Sequence, residues 1–171
     1  ELLATIAFAT GHMDRAIFEF QLVLRLHPSH GSAMLGLAES LLATGRLNDA
    51  RMLLKHMMKH REQICRIATV ERRPHDRLVD LLLAAGWNEE AMTVADESIA
   101  CNGASAERYR RLALAAYRDG SLLRGWAASR RALRIQPGCV RSLHNLVLAS
   151  LDAGRTDLAG QWLTVGLGLH P

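Results

Sequence analysis

Glycines at 11, 45, 86, 120 and 154 punctuate this chain of 171 residues at intervals of 34, 41, 34 and 34. Seventeen residues after the first, fourth and fifth of them stand Pro28, Pro137 and Pro171, so three of the four prolines share one phase of the period. A period of this length marks a solenoid, because each unit is one supersecondary element that cannot bury its apolar face without a neighbour.

The clearest copy is Gly11–Pro28, GHMDRAIFEFQLVLRLHP. Gly11 ends a short helix that carries Leu2, Leu3, Ile6 and Phe8, as glycine does where a helix closes in the left-handed conformation. Asp14 opens the next helix, and Ala16, Ile17, Phe20, Val23, Leu24 and Leu26 form a broad apolar stripe at steps of mostly three and four. Pro28 then closes the unit. The second unit repeats this phase: Gly45, Leu47, Asn48 and Ala50 answer Gly11, Met13, Asp14 and Ala16, with helices expected over Ser32–Thr44 and from about Asn48. Asp14 and Asn48 fall where a polar side chain caps unpaired helix N–H groups. No proline follows at 62, and apolar residues continue through Ile64, Cys65, Ile67 and Ala68. The seven extra residues are close to two helical turns, so the helix is predicted to run on to about residue 70; a looped-out insert is the alternative. Pro74 suits the first turn of the following helix, which reaches Gly86. Further helices are predicted over Glu89–Cys101, Ala106–Asp119, Leu122–Ile135, Val140–Ala153 and Asp157–Leu169.

Apolar residues make up 49% of the chain and aromatic ones only 5%, which predicts a core of close helix–helix contacts built from Ala and Leu. No apolar run approaches the roughly 20 residues of a membrane helix, and no signal peptide is visible. The chain opens inside a helical pattern without an initiator Met, as a piece of a longer repeat protein would. Cys65, Cys101 and Cys139 are odd in number and widely spaced, which favours reduced, buried thiols and a cytoplasmic location. The net charge of +4 is unevenly placed. From Ser105 to Arg141 nine arginines face only Glu107 and Asp119.

These residues together resemble an array of tetratricopeptide repeats. The small contact position of the second helix is Ala16, Ala50, Ala91, Gly125 and Ala159, and its partner in the first helix is Ala4, Ala38, Val79, Ala113 and Val147. The second-helix aromatic is kept only at Phe20, with Leu54, Ala95, Ser129 and Leu163 at the equivalent places. Ala95 and Ser129 are small, so looser packing is expected there. The first-helix tryptophan is replaced by Met34, His75, Tyr109 and Leu143. The resemblance spans the chain as one array, in units 1–28, 29–71 with the insert, 72–105, 106–139 and 140–171. It implies an all-α, right-handed superhelical solenoid of antiparallel helix pairs, whose first helices line a concave groove for a peptide or a partner's helix. The uncapped ends of such an array would expose apolar faces and favour self-association.

In that register the partner-binding candidates are Arg110, Arg111, Tyr117 and Arg118 of the fourth unit, with Arg141, His144 and Asn145 of the fifth. Guanidinium forks suit carboxylates and an asparagine amide suits peptide backbone, so an acidic peptide or a C-terminal carboxylate is the expected ligand. Ser32, Leu35, Glu39 and Leu42, then Arg73, Asp76, Arg77 and Asp80, are the matching positions of units two and three. A solvated basic face explains the arginines equally well. Nucleic acid or another polyanion on the arginine-rich fourth unit, with Arg124, Arg130, Arg131 and Arg134, is the less favoured alternative, since only Tyr109, Tyr117 and Trp126 are near for stacking. His56 and His60 share a helix spacing that suits a metal, but no third ligand accompanies them, and exposed helix histidines are the favoured reading. Asp76 and Asp80 are interleaved with Arg73 and Arg77, as in ion pairs along a helix surface. No serine has an attendant His and Asp and no Gly-rich phosphate loop is present, so neither catalysis, a cofactor nor a metal is expected, although the chain could be the repeat region of a larger enzyme.

Overall fold

The computed structural model of the chain describes residues 1–60 and 74–169. Among them are ten helices and no strand: α1 (Leu2–Ala9), α2 (Met13–Leu26), α3 (Gly31–Ala43), α4 (Leu47–Lys59), α5 (Pro74–Ala84), α6 (Asn88–Asn102), α7 (Ala106–Asp119), α8 (Leu122–Ile135), α9 (Val140–Asp152) and α10 (Thr156–Leu169). They fall into two compact units, Glu1–Gly86 and Trp87–Pro171.

The glycine period is a backbone requirement. Gly11, Gly45, Gly120 and Gly154 have φ of 79°, 72°, 85° and 69°, in the region that L side chains avoid. After each, the next amide donates to the carbonyl five residues back: His12 to Ala7, Arg46 to Leu41, Ser121 to Ala116 and Arg155 to Ser150, at 2.9, 2.9, 2.8 and 2.8 Å. These bonds satisfy carbonyls that a helix end would otherwise leave unpaired. Each turn is therefore tight, and the following helix returns along its predecessor.

Helix starts differ from expectation. α2 and α4 begin at Met13 and Leu47, one residue before Asp14 and Asn48, and their N-caps His12 and Arg46 make no side-chain capping bond. The turn itself has fixed the entry, so Asp14 sits in the first turn, where the helix dipole favours a carboxylate. Side-chain caps occur instead on two first helices: Ala33 N donates to His30 Nδ1 at 3.3 Å, and Arg108 N donates to Ser105 Oγ at 3.2 Å. α4 ends at Lys59, and the rest of its predicted extension, 61–70, lies outside the described residues.

In the first unit α1 packs on α2, α2 on α3 and α3 on α4, while the first helices α1, α3 and α5 lie side by side. Its core joins Ala4, Ala7, Ala16, Ile17, Phe20, Ala33, Leu37, Leu41 and Ala50. Phe20 lies against Gly36, where a Cβ would come within 2.3 Å of its ring, so a glycine inside α3 makes room for the aromatic. In the second unit each of α6 to α10 packs on the next, and the first helices α7 and α9 touch. The small contact positions Ala91, Ala113 and Ala159 are buried, as are Ala4, Ala16, Ala38 and Ala50 in the first unit.

The expected looseness at Ser129 is absent, since its side chain is fully buried. The space is taken by Tyr117 of α7, whose ring lies over Gly125 and whose hydroxyl is 3.3 Å from Ser129 Oγ. The aromatic has moved from the second helix of the pair to the first. Apolar side chains are exposed on α1 (Leu2, Leu3, Ile6) and on α10 (Leu163, Val165, Leu167).

Candidate functional site

The candidates of the second unit lie on α7, which Ser105 and Gly120 delimit, and on α9, which contacts it. Glu107 stands in the first turn of α7, and Arg110 and Arg111 follow three and four positions later on the same face. Arg110 forks onto this carboxylate, Nε to Oε2 at 2.7 Å and Nη2 to Oε1 at 2.5 Å. Arg111 Nη1 adds an ion pair to Oε1 at 3.2 Å. The bond from Arg110 outweighs partial burial and holds the Glu107 carboxyl below its ordinary range; the charges of Arg110, Arg111 and Arg141 act in the same direction. The charge of Arg141 on α9 also acts on Glu107, so residues up to 34 apart in sequence share one electrostatic site.

Exposure within the cluster is uneven. The side chains of Arg110 and Arg111 are each only 16% exposed, whereas Glu107 is 46% exposed. Arg141 and Arg118 are exposed on the surface. Tyr117 is half-buried, and its hydroxyl is pushed above the ordinary tyrosine range by burial, with the Ser129 hydrogen bond opposing that shift. Its ring is committed to Gly125, so it serves the packing of α7 on α8. His144 is exposed and helps to line an apolar cleft of about 330 Å³ between α9 and α10, with Val140, Leu143, Val147 and Trp162. Asn145 is half-buried on α9.

Several other arginines of the basic run have structural tasks that the sequence did not disclose. Arg108 is only 7% exposed, and its Nη1 donates to Asn102 O and Gly103 O, both at 2.9 Å, at the C-terminus of α6. Arg124 pairs with Asp96 of α6. Arg130 lies 4.8 Å from the ring centre of Trp126 and Arg131 lies 5.7 Å from that of Tyr109, both within cation–π range. Two of the three aromatics available for base stacking therefore already carry a guanidinium.

In the first unit Arg77 forks onto Glu39 of α3, at 3.0 and 2.7 Å, so it bridges helices as well as lying beside the aspartates of its own. Leu35, placed on the open face by the repeat register, is 1% exposed, and Asp76 is buried too. Arg73 and Cys65 lie outside the described residues, while Cys101, expected to be buried, is exposed at the end of α6 and Cys139 is half-buried. The His56 and His60 rings stand 4.8 Å apart at the end of α4. Among the described residues no group of three His, Cys, Asp or Glu side chains is placed to hold a metal ion, and no helix is long and apolar enough to cross a membrane.

Residues 7–63 match the tetratricopeptide repeat family model. No curated protein matches the chain. Among solved structures the chain is similar in fold to MamA, at 22% identity over 98% of this chain and 94% of that one, with a TM-score of 0.76. A MamA segment (41-end) from Desulfovibrio magneticus RS-1 is 17% identical over 97% of this chain and 90% of that one, with a TM-score of 0.76. YrrB, described as a tetratricopeptide repeat protein with an unusual peptide-binding site, is 14% identical over 98% of this chain and 83% of that one, with a TM-score of 0.73. At these identities the likeness is one of fold.

Proposed function

We propose that this chain, whose residues 7–63 match the tetratricopeptide repeat model and whose fold is like that of such proteins, is a non-catalytic protein-interaction scaffold that binds an acidic peptide segment along the first helices α7 and α9. What carries this reading is the pairing of Arg110 and Arg111 with one carboxylate on α7, to whose potential Arg141 of the neighbouring helix α9 adds. A site that already holds one carboxylate has the charge and the fork geometry to hold a partner's. Exposed Arg141 makes the first contact, and Asn145 on the same helix face offers an amide to the partner's backbone. Arg118 extends the positive potential along α7.

The test is a displayed peptide library screened against the full chain, followed by affinity measurements on the selected sequences. Enrichment of Asp- and Glu-rich segments is expected, with R110A/R141A weakening them at least several-fold while the circular dichroism of the helices stays unchanged. Selection without acidic preference, or affinities that R110A/R141A does not alter, would remove these arginines from the binding surface.

A further inference from the structure

Resting on the peptide-binding reading above, we propose that Glu107 is a built-in competitor of the ligand: its carboxylate occupies the arginine site, and an acidic partner binds by displacing it.

The geometry leads there in three steps. First, both fork atoms of Arg110, Nε and Nη2, are engaged by the two oxygens of one carboxylate at 2.7 and 2.5 Å. A guanidinium edge engaged in this bidentate manner cannot offer the same two N–H groups to a second carboxylate. Second, Glu107 is the more accessible partner of the pair. Its side chain is 46% exposed and those of the arginines 16%, so an approaching anion finds more open surface on the glutamate than on the forks it engages. Third, the cluster stabilises the ionised form: Arg110, Arg111 and Arg141 all act on Glu107, and its place in the first turn of α7 adds the helix dipole. A negative charge therefore already occupies a positive site. It excludes weakly acidic segments, because one carboxylate arriving alone only replaces another. Segments with several consecutive carboxylates gain, since they exchange with Glu107 at Arg110 while also engaging Arg141. Glu107 thus sets the threshold of acidity at which the site binds.

The full chain is titrated with a fluorescently labelled hexaglutamate peptide and with its all-glutamine counterpart, using anisotropy, for the wild type, E107Q and E107A. E107Q preserves the shape of the side chain and removes one like charge at a half-exposed position, so hexaglutamate should bind it about fivefold tighter. The glutamine peptide should be unaffected. E107A, which also empties the fork, should gain at least as much, and helicity by circular dichroism confirms that both variants are folded. If the wild type binds hexaglutamate and both variants bind it equally or more weakly, Glu107 positions Arg110 for the ligand and the competitor role is overturned. If neither the wild type nor the variants bind hexaglutamate, the acidic-peptide reading itself fails.

Discussion

At Gly125 a hydrogen in place of a methyl group decides how two helices meet. A Cβ there would stand 2.6 Å from Cε1 of Tyr117 and 2.7 Å from its Cδ1, on a ring held in turn by the hydroxyl contact to Ser129. The four other repeats tolerate alanine at this position. Here the Tyr117 ring takes the space that a methyl group would need. G125A is expected to lose about 1–3 kcal/mol by overpacking, read as a lower midpoint in urea unfolding. G120A offers the contrast. No atom lies within 4 Å of a Cβ at Gly120, but its φ of 85° is left-handed, so its expected loss of about 1–2 kcal/mol comes from the backbone alone. Combining G125A with Y117L should recover part of the loss, whereas adding Y117L to G120A should recover none. Equal recovery in both pairs would contradict the contact.

At the scale of elements, the ends of the helices matter more than their middles. Turn glycines fix where α2, α4, α8 and α10 begin, and side-chain caps are left to first helices such as α3 and α7. The end of α6 is closed from outside by Arg108, whose guanidinium donates to two terminal carbonyls while its stem is buried. R108M keeps most of the stem and removes both bonds. Hydrogen bonds from a charged donor contribute roughly 1.5–3 kcal/mol, so the variant should unfold with a stability loss of about 2–3 kcal/mol. Hydrogen exchange should rise first in the last turn of α6. A thermal midpoint unchanged in R108M would show that water replaces the arginine without cost.

For the whole molecule, the question is what its surface charge can attract. The run from Ser105 to Arg141 is strongly basic in sequence. In the fold, Arg108 is buried, Arg110 and Arg111 gather on Glu107, Arg124 meets Asp96, and Arg130 and Arg131 cover Trp126 and Tyr109. Nucleic-acid affinity requires several phosphates to be neutralised at once and single strands require open aromatic faces. Both are reduced here. Labelled single-stranded RNA is therefore expected to give no retarded band with the full chain at physiological salt. A band that appears there and collapses steeply as salt rises would restore the polyanion reading.

The helical punctuation is legible along the chain, because its causes are local. A glycine with positive φ, a proline and an apolar stripe with a period of 3.6 act within a few residues of chain, and α7 and α8 span the residues predicted from them, Ala106–Asp119 and Leu122–Ile135. The same locality put Arg110 and Arg111 three and four positions after Glu107 on one helix face. What each side chain does once it is there depends on the neighbours that folding brings around it. That Tyr117 fills the space beside Ser129, that Arg108 closes α6 and that Arg110 forks onto Glu107 are contacts made at particular angles and distances. Spacing along the chain brings such groups within reach of one another, but competition among neighbours for space and for hydrogen bonds selects the pairs that form.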